Sequence, residues 1–242
     1  MTRIAIIGAM HEEIAALQPC LAEVRTELRA GRDFRLGRLD GHDVVLVRCG
    51  IGKVAAATTA AVLFDRFDVR ALLFTGVAGG LGARVRVGDI VVADSLLQYD
   101  MDASPLFPRF EVPLTGRSRF PADPPWTARI ADACRALPGF ADAGDLARVH
   151  WGLVVSGDRF VATAGDSDAL RALVPDALAV EMEGAAVAQV CADFERPVAV
   201  VRTISDRADD SAHVDFQRFV AEVAAPISRD IVRAVLAGRA NT

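Results

Sequence analysis

Apolar residues along this chain fall into two alternating kinds of block. Short continuous runs rich in valine and isoleucine occupy residues 4–7, 44–47, 71–74, 90–92, 153–155, 178–180 and 198–201. Runs of that length without polar alternation suit strands buried on both faces. Between them lie longer stretches with helical spacing, at about 12–28, 53–67, 126–137, 182–194 and 215–236. Pro19 and Pro226 are expected to kink or interrupt the first and last of these, because proline removes a helical donor. The alternation predicts an α/β fold, a single domain with a central mixed sheet flanked by helices. One segment breaks the rhythm. From 99 to 125, Pro105, Pro108, Pro113, Pro121, Pro124 and Pro125 interleave with Phe107, Phe110 and Phe120. No regular helix tolerates that pattern, and loops of this length commonly serve as lids or contact surfaces. A lid or subunit contact is the expectation here.

Composition narrows the class. With 52% hydrophobic and 24% charged residues, the 242-residue chain can bury a large core and leaves no disordered tail. A net charge of −5 with scattered basic residues excludes a general nucleic-acid binder, which needs clustered phosphate-neutralising cations. Cys20, Cys49, Cys134 and Cys191 are widely spaced, which suits reduced core thiols better than a zinc site or disulfide scaffold. His11, His42, His150 and His213 lack metal-ligand spacing, so neither metal nor cofactor is expected. The apolar run at 4–10 ends at His11-Glu12-Glu13, without a signal-peptide or lipidation pattern. No window approaches the ~18 apolar residues of a membrane span. A soluble, cytoplasmic protein with no membrane partner is expected.

The candidate chemistry sits at the ends of the strand-like runs. Ala179-Val-Glu-Met-Glu-Gly-Ala-Ala186 delivers Glu181 and Glu183 two positions apart. If the strand continues to Glu183 both acids share a face, where they repel unless a cation or a polyol satisfies them. Gripping sugar hydroxyls is one reason to build that. In Ile6-Ile-Gly-Ala-Met-His-Glu-Glu13, Gly8 permits a tight strand exit, and the helix dipole alone would favour Glu12 and Glu13 in a first turn. Gly50-Ile-Gly-Lys-Val-Ala55 matches the relaxed dinucleotide fingerprint, but it is not in the first β-α unit and no ribose-binding acid follows. Thr75-Gly-Val-Ala-Gly-Gly-Leu-Gly82 lets a ligand approach the backbone and offers amide donors. In Ser156-Gly-Asp-Arg-Phe-Val161, Phe160 is suited either to stacking on a flat base or to plugging the core. Asp206, after the run 198–201, lies where open α/β sheets bind ligands, although Ser205 and Asp206 also cap helices well.

Taken in order, IIGAMHEE, CGIGKVAAA, TGVAGGL, GDIVVAD, VSGDRFV, AVEMEGAA and VVRTISDRAD resemble the methylthioadenosine/S-adenosylhomocysteine nucleosidases, hydrolases of the nucleoside phosphorylase superfamily. The resemblance spans roughly residues 3 to 236. GVAGG and EMEGAA are superfamily motifs, whereas IIGAM-x-EE and the late Ser-Asp narrow it to the nucleosidases. It implies that Glu13 polarises the attacking water, with Arg202 helping to hold it. Glu183 would bind the ribose hydroxyls with Met182 packed on the sugar, and Asp206 would protonate the purine. Phe160 would stack on adenine and the backbone of Val161 would read its edge. Val77, Ala78, Gly79, Glu181 and Ser205 complete the implied binding surface. Met10, Ile51 and Phe216 would line the end near the 5′-thio substituent, closed by the segment from Ala103 to Phe107 of the partner in a homodimer.

The chemistry is consistent with that assignment. Breaking an N-glycosidic bond creates an oxocarbenium-like sugar and an anionic purine, so an acid on the base and anions near the sugar both help. For Asp206 to donate near neutral pH, its pKa must be raised by burial or neighbouring carboxylates. Val77 stands where related sequences often carry a serine, and Gly8-Ala-Met replaces the Gly-Asp-Pro of the phosphorylases. Both departures favour water over phosphate as nucleophile. Three other readings use the same residues: a futalosine or aminodeoxyfutalosine hydrolase, a purine nucleoside phosphorylase, and a non-catalytic ligand-binding or storage relative.

Overall fold

A computed structural model describes residues 3–140, 148–208 and 216–238. Ten strands form one mixed sheet. In chain order they are β1 (Arg3–Gly8), β2 (Ala22–Arg29), β3 (Arg32–Leu39), β4 (His42–Arg48), β5 (Val69–Gly80), β6 (Ile90–Gln98), β7 (Arg119–Pro121), β8 (Val149–Ser156), β9 (Ala177–Glu181) and β10 (Val198–Asp206). The helices are α1 (His11–Ala15), α2 (Lys53–Phe67), α3 (Pro124–Ala136), α4 (Ala164–Leu173), α5 (Gly184–Asp193), α6 (Phe216–Phe219) and α7 (Ala225–Ala237). A π-helical turn, Val220–Ala224, joins the last two.

The order β2-β3-β4-β1-β5 forms an open wing, with β1, β4 and β5 parallel. Beyond it β5 pairs with both β10 and β9, and the chain of pairings β10-β6-β8-β9 closes into a ring of strands. Alternate residues of each buried strand feed opposite faces. Ala5 and Ile7 pack with Ala60 and Leu63 of α2 and Val187 and Cys191 of α5. Ile4 and Ile6 pack with Ile14 of α1, Ile130 of α3 and Val235 of α7. Both faces are covered, which is why these strands read as unbroken apolar runs.

Three expectations need correction. The helix expected over 12–28 stops at Ala15, because Pro19 enters a 3-10 turn (Gln18–Cys20) and the chain then becomes β2. Among the described residues this strand pairs only with β3, and it hardly buries a residue, so it carries no apolar periodicity. The strand expected over 71–74 is far longer: β5 runs from Val69 to Gly80, through the glycine-rich segment, and pairs with β10 as far as Gly79. The third correction concerns Glu183, which lies beyond the end of β9 as the cap residue of α5. The 99–125 segment is irregular only to 118. It ends in β7 and the start of α3, where Asp123 caps the helix and Pro124 and Pro125 occupy first-turn positions that need no N–H partner.

Candidate active site

Gly8 closes β1, and the short α1 turns Glu13 back toward the strand it has just left. Glu13 Oε2 accepts the backbone N–H groups of Ala9 (2.6 Å) and Met10 (2.9 Å), and Oε1 accepts that of Val77 (3.0 Å). Three amides thus converge on one buried carboxylate. Room for it depends on Gly76, since a β-carbon there would lie 2.8 Å from Glu13 Cδ. Burial raises the Glu13 pKa, opposed by the Arg202 charge and the three amides. A raised pKa makes a stronger base than an exposed carboxylate.

The two acids of the Glu-Met-Glu motif have separate surroundings. Glu181 is clasped from all sides. The Ser156 hydroxyl and the Gly184 and Glu183 N–H groups donate to it, and Arg202 Nη2 lies 2.7 Å from its Oε2. The Arg202 guanidinium stacks 4.1 Å above the Phe74 ring and donates to the carbonyls of Phe74 and Val201. Breaking such a buried pair costs about 3–5 kcal/mol, because the surviving charge is stranded. Glu183 has fewer partners: its Oε1 accepts Gly52 N–H at 2.8 Å. Burial pushes its pKa up, with the neighbouring Glu181 charge adding to the shift. The mutual repulsion expected from adjacent acids is relieved by Arg202, which takes one of them.

The G-x-G-x-x-A turn before α2 spends its donors within the chain. Gly52 N–H goes to Glu183, and Lys53 N–H goes to Asp158 Oδ1 at 2.7 Å. Lys53, the sole lysine in the sequence, reaches Asp100 Oδ1 at 2.6 Å. Carboxylates therefore occupy the amides that a dinucleotide phosphate would need.

On the opposite wall β10 ends at Asp206, paired with Gly79. Ser205 Oγ donates to Asp206 Oδ2 and Ala208 N–H donates to Oδ1, each at 2.7 Å. Phe160 is 47% exposed and lines the same space, so it is not a core plug, whereas Val161 beside it is buried. These residues enclose a cleft of about 130 Å³.

Of the residues singled out from sequence, Met10, Glu13, Ile51, Val77, Ala78, Gly79, Phe160, Val161, Glu181, Met182, Glu183, Ser205 and Asp206 all line this cleft. Arg202 does not: it sits behind Glu181 with 2% exposure, where its guanidinium meets that carboxylate and not the open cleft. Phe216 begins α6, but its side chain lies outside the described residues, as does His213. Ala9, Arg159 and Val180 also line the cleft, and Ser156 and Gly52 hold its acids; none was singled out from sequence. The motif VSGDRFV contained Ser156, but only the fold brings its hydroxyl to Glu181. Among the described residues no His, Cys, Asp and Glu cluster is disposed to hold a metal ion, and no helix is long and apolar enough to cross a membrane.

The family model described as Phosphorylase superfamily matches residues 3–237. The 5′-methylthioadenosine/S-adenosylhomocysteine nucleosidase of Colwellia psychrerythraea is 38% identical over 232 residues, covering 94% of this chain and 92% of its own. The enzyme of the same name from Mycobacterium tuberculosis is 37% identical over 248 residues, covering 95% of each. The crystal structure of the Neisseria meningitidis nucleosidase in complex with methylthio-immucillin-A superposes with a TM-score of 0.91 at 34% identity, covering 98% of this chain and 100% of its own. The chain belongs to the phosphorylase superfamily and, within it, to the 5′-methylthioadenosine/S-adenosylhomocysteine nucleosidases.

Proposed function

We propose that the protein hydrolyses the N-glycosidic bond of 5′-methylthioadenosine and S-adenosylhomocysteine, releasing adenine and the corresponding thioribose. The observation that carries this reading is the convergence of Glu13, Glu183, Asp206 and the Phe160 ring on one cleft, from four separate parts of the chain. Phe160 stacks on the adenine, with the Val161 backbone at its edge. Asp206 gives a proton to the five-membered ring of the purine as the bond to the sugar breaks. Glu183 accepts the ribose hydroxyls, Met182 packs on the sugar, and Glu13 takes the proton from the water whose oxygen bonds to the anomeric carbon. Arg202 acts as a positioning residue, holding Glu181 and stabilising the charged form of Glu13. Acid assistance of this kind contributes about 10²–10⁴ in rate.

The Glu13 contacts favour water over phosphate. The amides of Ala9, Met10 and Val77 make an anion-binding nest, and the chain's own carboxylate occupies it. An incoming phosphate would meet a like charge where a phosphorylase would offer donors. Met10 and Ile51 stand at the 5′-thio end, which in this reading is completed by the segment from Ala103 to Phe107 of a second copy, in a cytoplasmic homodimer. The test is adenine release from methylthioadenosine in phosphate-free buffer. Asp206→Asn should lower turnover at least a hundredfold with the far-ultraviolet dichroism unchanged. Base release that requires phosphate, or an Asp206→Asn variant with near-full turnover, would refute the assignment.

A further inference from the structure

A second, larger hollow of about 880 Å³ borders the cleft, sharing Ala9, Met10 and Ile51 with it. It lies between α1 and the β3-β4 hairpin, and its walls combine apolar residues such as Met10, Leu46 and Ile51 with charged ones. Arg32, Arg35 and Arg48 stand on the hairpin side, with Asp33 among them, and His11 and Glu12 on the helix side. Arg32 is consumed structurally: it donates to the carbonyls of Ala30, Cys49 and Ala55, which neutralise none of its charge. Among the described residues Arg35 and Arg48 make no hydrogen bond or ion pair, although Arg25, Arg38, Arg119 and Arg233 each hold a carboxylate. A groove with unengaged guanidinium groups on one wall and a carboxylate on the other is matched to a zwitterion.

We infer that this groove is the subsite for the amino-acid end of a long 5′-thioether tail. Its α-carboxylate would dock on Arg35 and Arg48, and its α-ammonium would turn toward Glu12. The inference rests on the nucleosidase reading and adds a specificity device to it. The shared residues Met10 and Ile51 stand where that reading puts the 5′-sulfur, so a tail leaving there enters the groove at once. A methyl substituent ends before reaching it. Guanidinium forks are suited to carboxylates, and partly exposed contacts of this type are screened by salt.

The experiment compares three substrates with the unaltered chain and with the double variant Arg35→Gln, Arg48→Gln. They are methylthioadenosine, an uncharged butylthio analogue and S-adenosylhomocysteine. The expected result is a KM for S-adenosylhomocysteine raised about tenfold, with both uncharged substrates moved less than twofold. For the unaltered chain, KM for S-adenosylhomocysteine alone should climb with ionic strength. Equal responses of all three substrates, or none, would overturn the subsite while leaving the nucleosidase activity intact. Failure of the unaltered chain to release adenine from any of them would overturn the activity and the subsite together.

Discussion

Glu181 and Glu183 differ in what surrounds them, and that difference sets their chemistry. Glu181 has an arginine, a hydroxyl and two amides, whereas Glu183 has one amide and a neighbouring like charge. An acid whose pKa is higher in the folded chain than in the unfolded chain keeps its proton longer when folded. Stability therefore falls as pH climbs through the interval between the two values. Glu183 is such a group. Glu183→Gln retains an acceptor for Gly52 N–H and removes the titration. Its melting temperature should equal the parent's near pH 4, below the usual carboxylate pKa of about 4.3, and exceed it increasingly toward pH 8. Adenine release should fall at least a hundredfold in the same variant, a trade of stability for activity. A melting temperature at pH 8 no higher than the parent's would refute the burial argument. Residue identity was legible in the sequence here, because paired acids after an apolar run are conspicuous. Which of the two is clasped was not, since Arg202 and Ser156 come from other strands.

At the scale of elements, buried segments announced themselves and exposed ones did not. The helix α2 has the bounds that its spacing predicts, and each of the seven apolar runs is part of a strand. β2 stayed hidden because its residues face solvent, with Glu23, Arg25, Glu27 and Arg29 along an unpaired edge that they protect from further pairing. A signal for its neighbours was present. Asp40-Gly41, with φ of 47° and 86°, forms the tight turn between β3 and β4, and Asp-Gly between alternating apolar residues is a strong hairpin cue. Pro226 is accommodated at the start of α7 by the π-turn before it, rather than by a simple kink. That turn explains Val77. Its side chain packs with Val220 and Ala224, beside Met10 and Phe219, so an apolar residue fastens β5 to the C-terminal helices. Val77→Ser should lower the denaturation free energy by about 1–2 kcal/mol, measured by urea titration. It should leave adenine release independent of phosphate, because the amide of residue 77 still serves Glu13. A phosphate requirement in that variant would locate the choice of nucleophile in the serine hydroxyl instead.

For the whole molecule, the ring closed by β9 pairing to β5 brings Glu181, Gly79 and Asp206 to one rim. No periodicity in the sequence encodes that closure, which depends on register between strands more than a hundred residues apart. The family resemblance carried it instead, because motifs in a fixed order imply a shared topology. The segment after β6 leaves Leu106 84% exposed and Leu114 90% exposed, while Val54 on α2 is 77% exposed. Apolar surface of this kind suits a subunit contact. Sedimentation should give twice the 25.7 kDa chain mass, and Leu106→Glu should shift the protein toward monomer and raise KM for methylthioadenosine. A monomer with full activity would remove the second copy from the site.

The nest filled by Glu13 bears on how lineages within the superfamily part company. With Glu13 as the base proposed above, a descendant turning to phosphorolysis must lose that glutamate before the three amides are free to hold an anion, and loses with it the group that activates water.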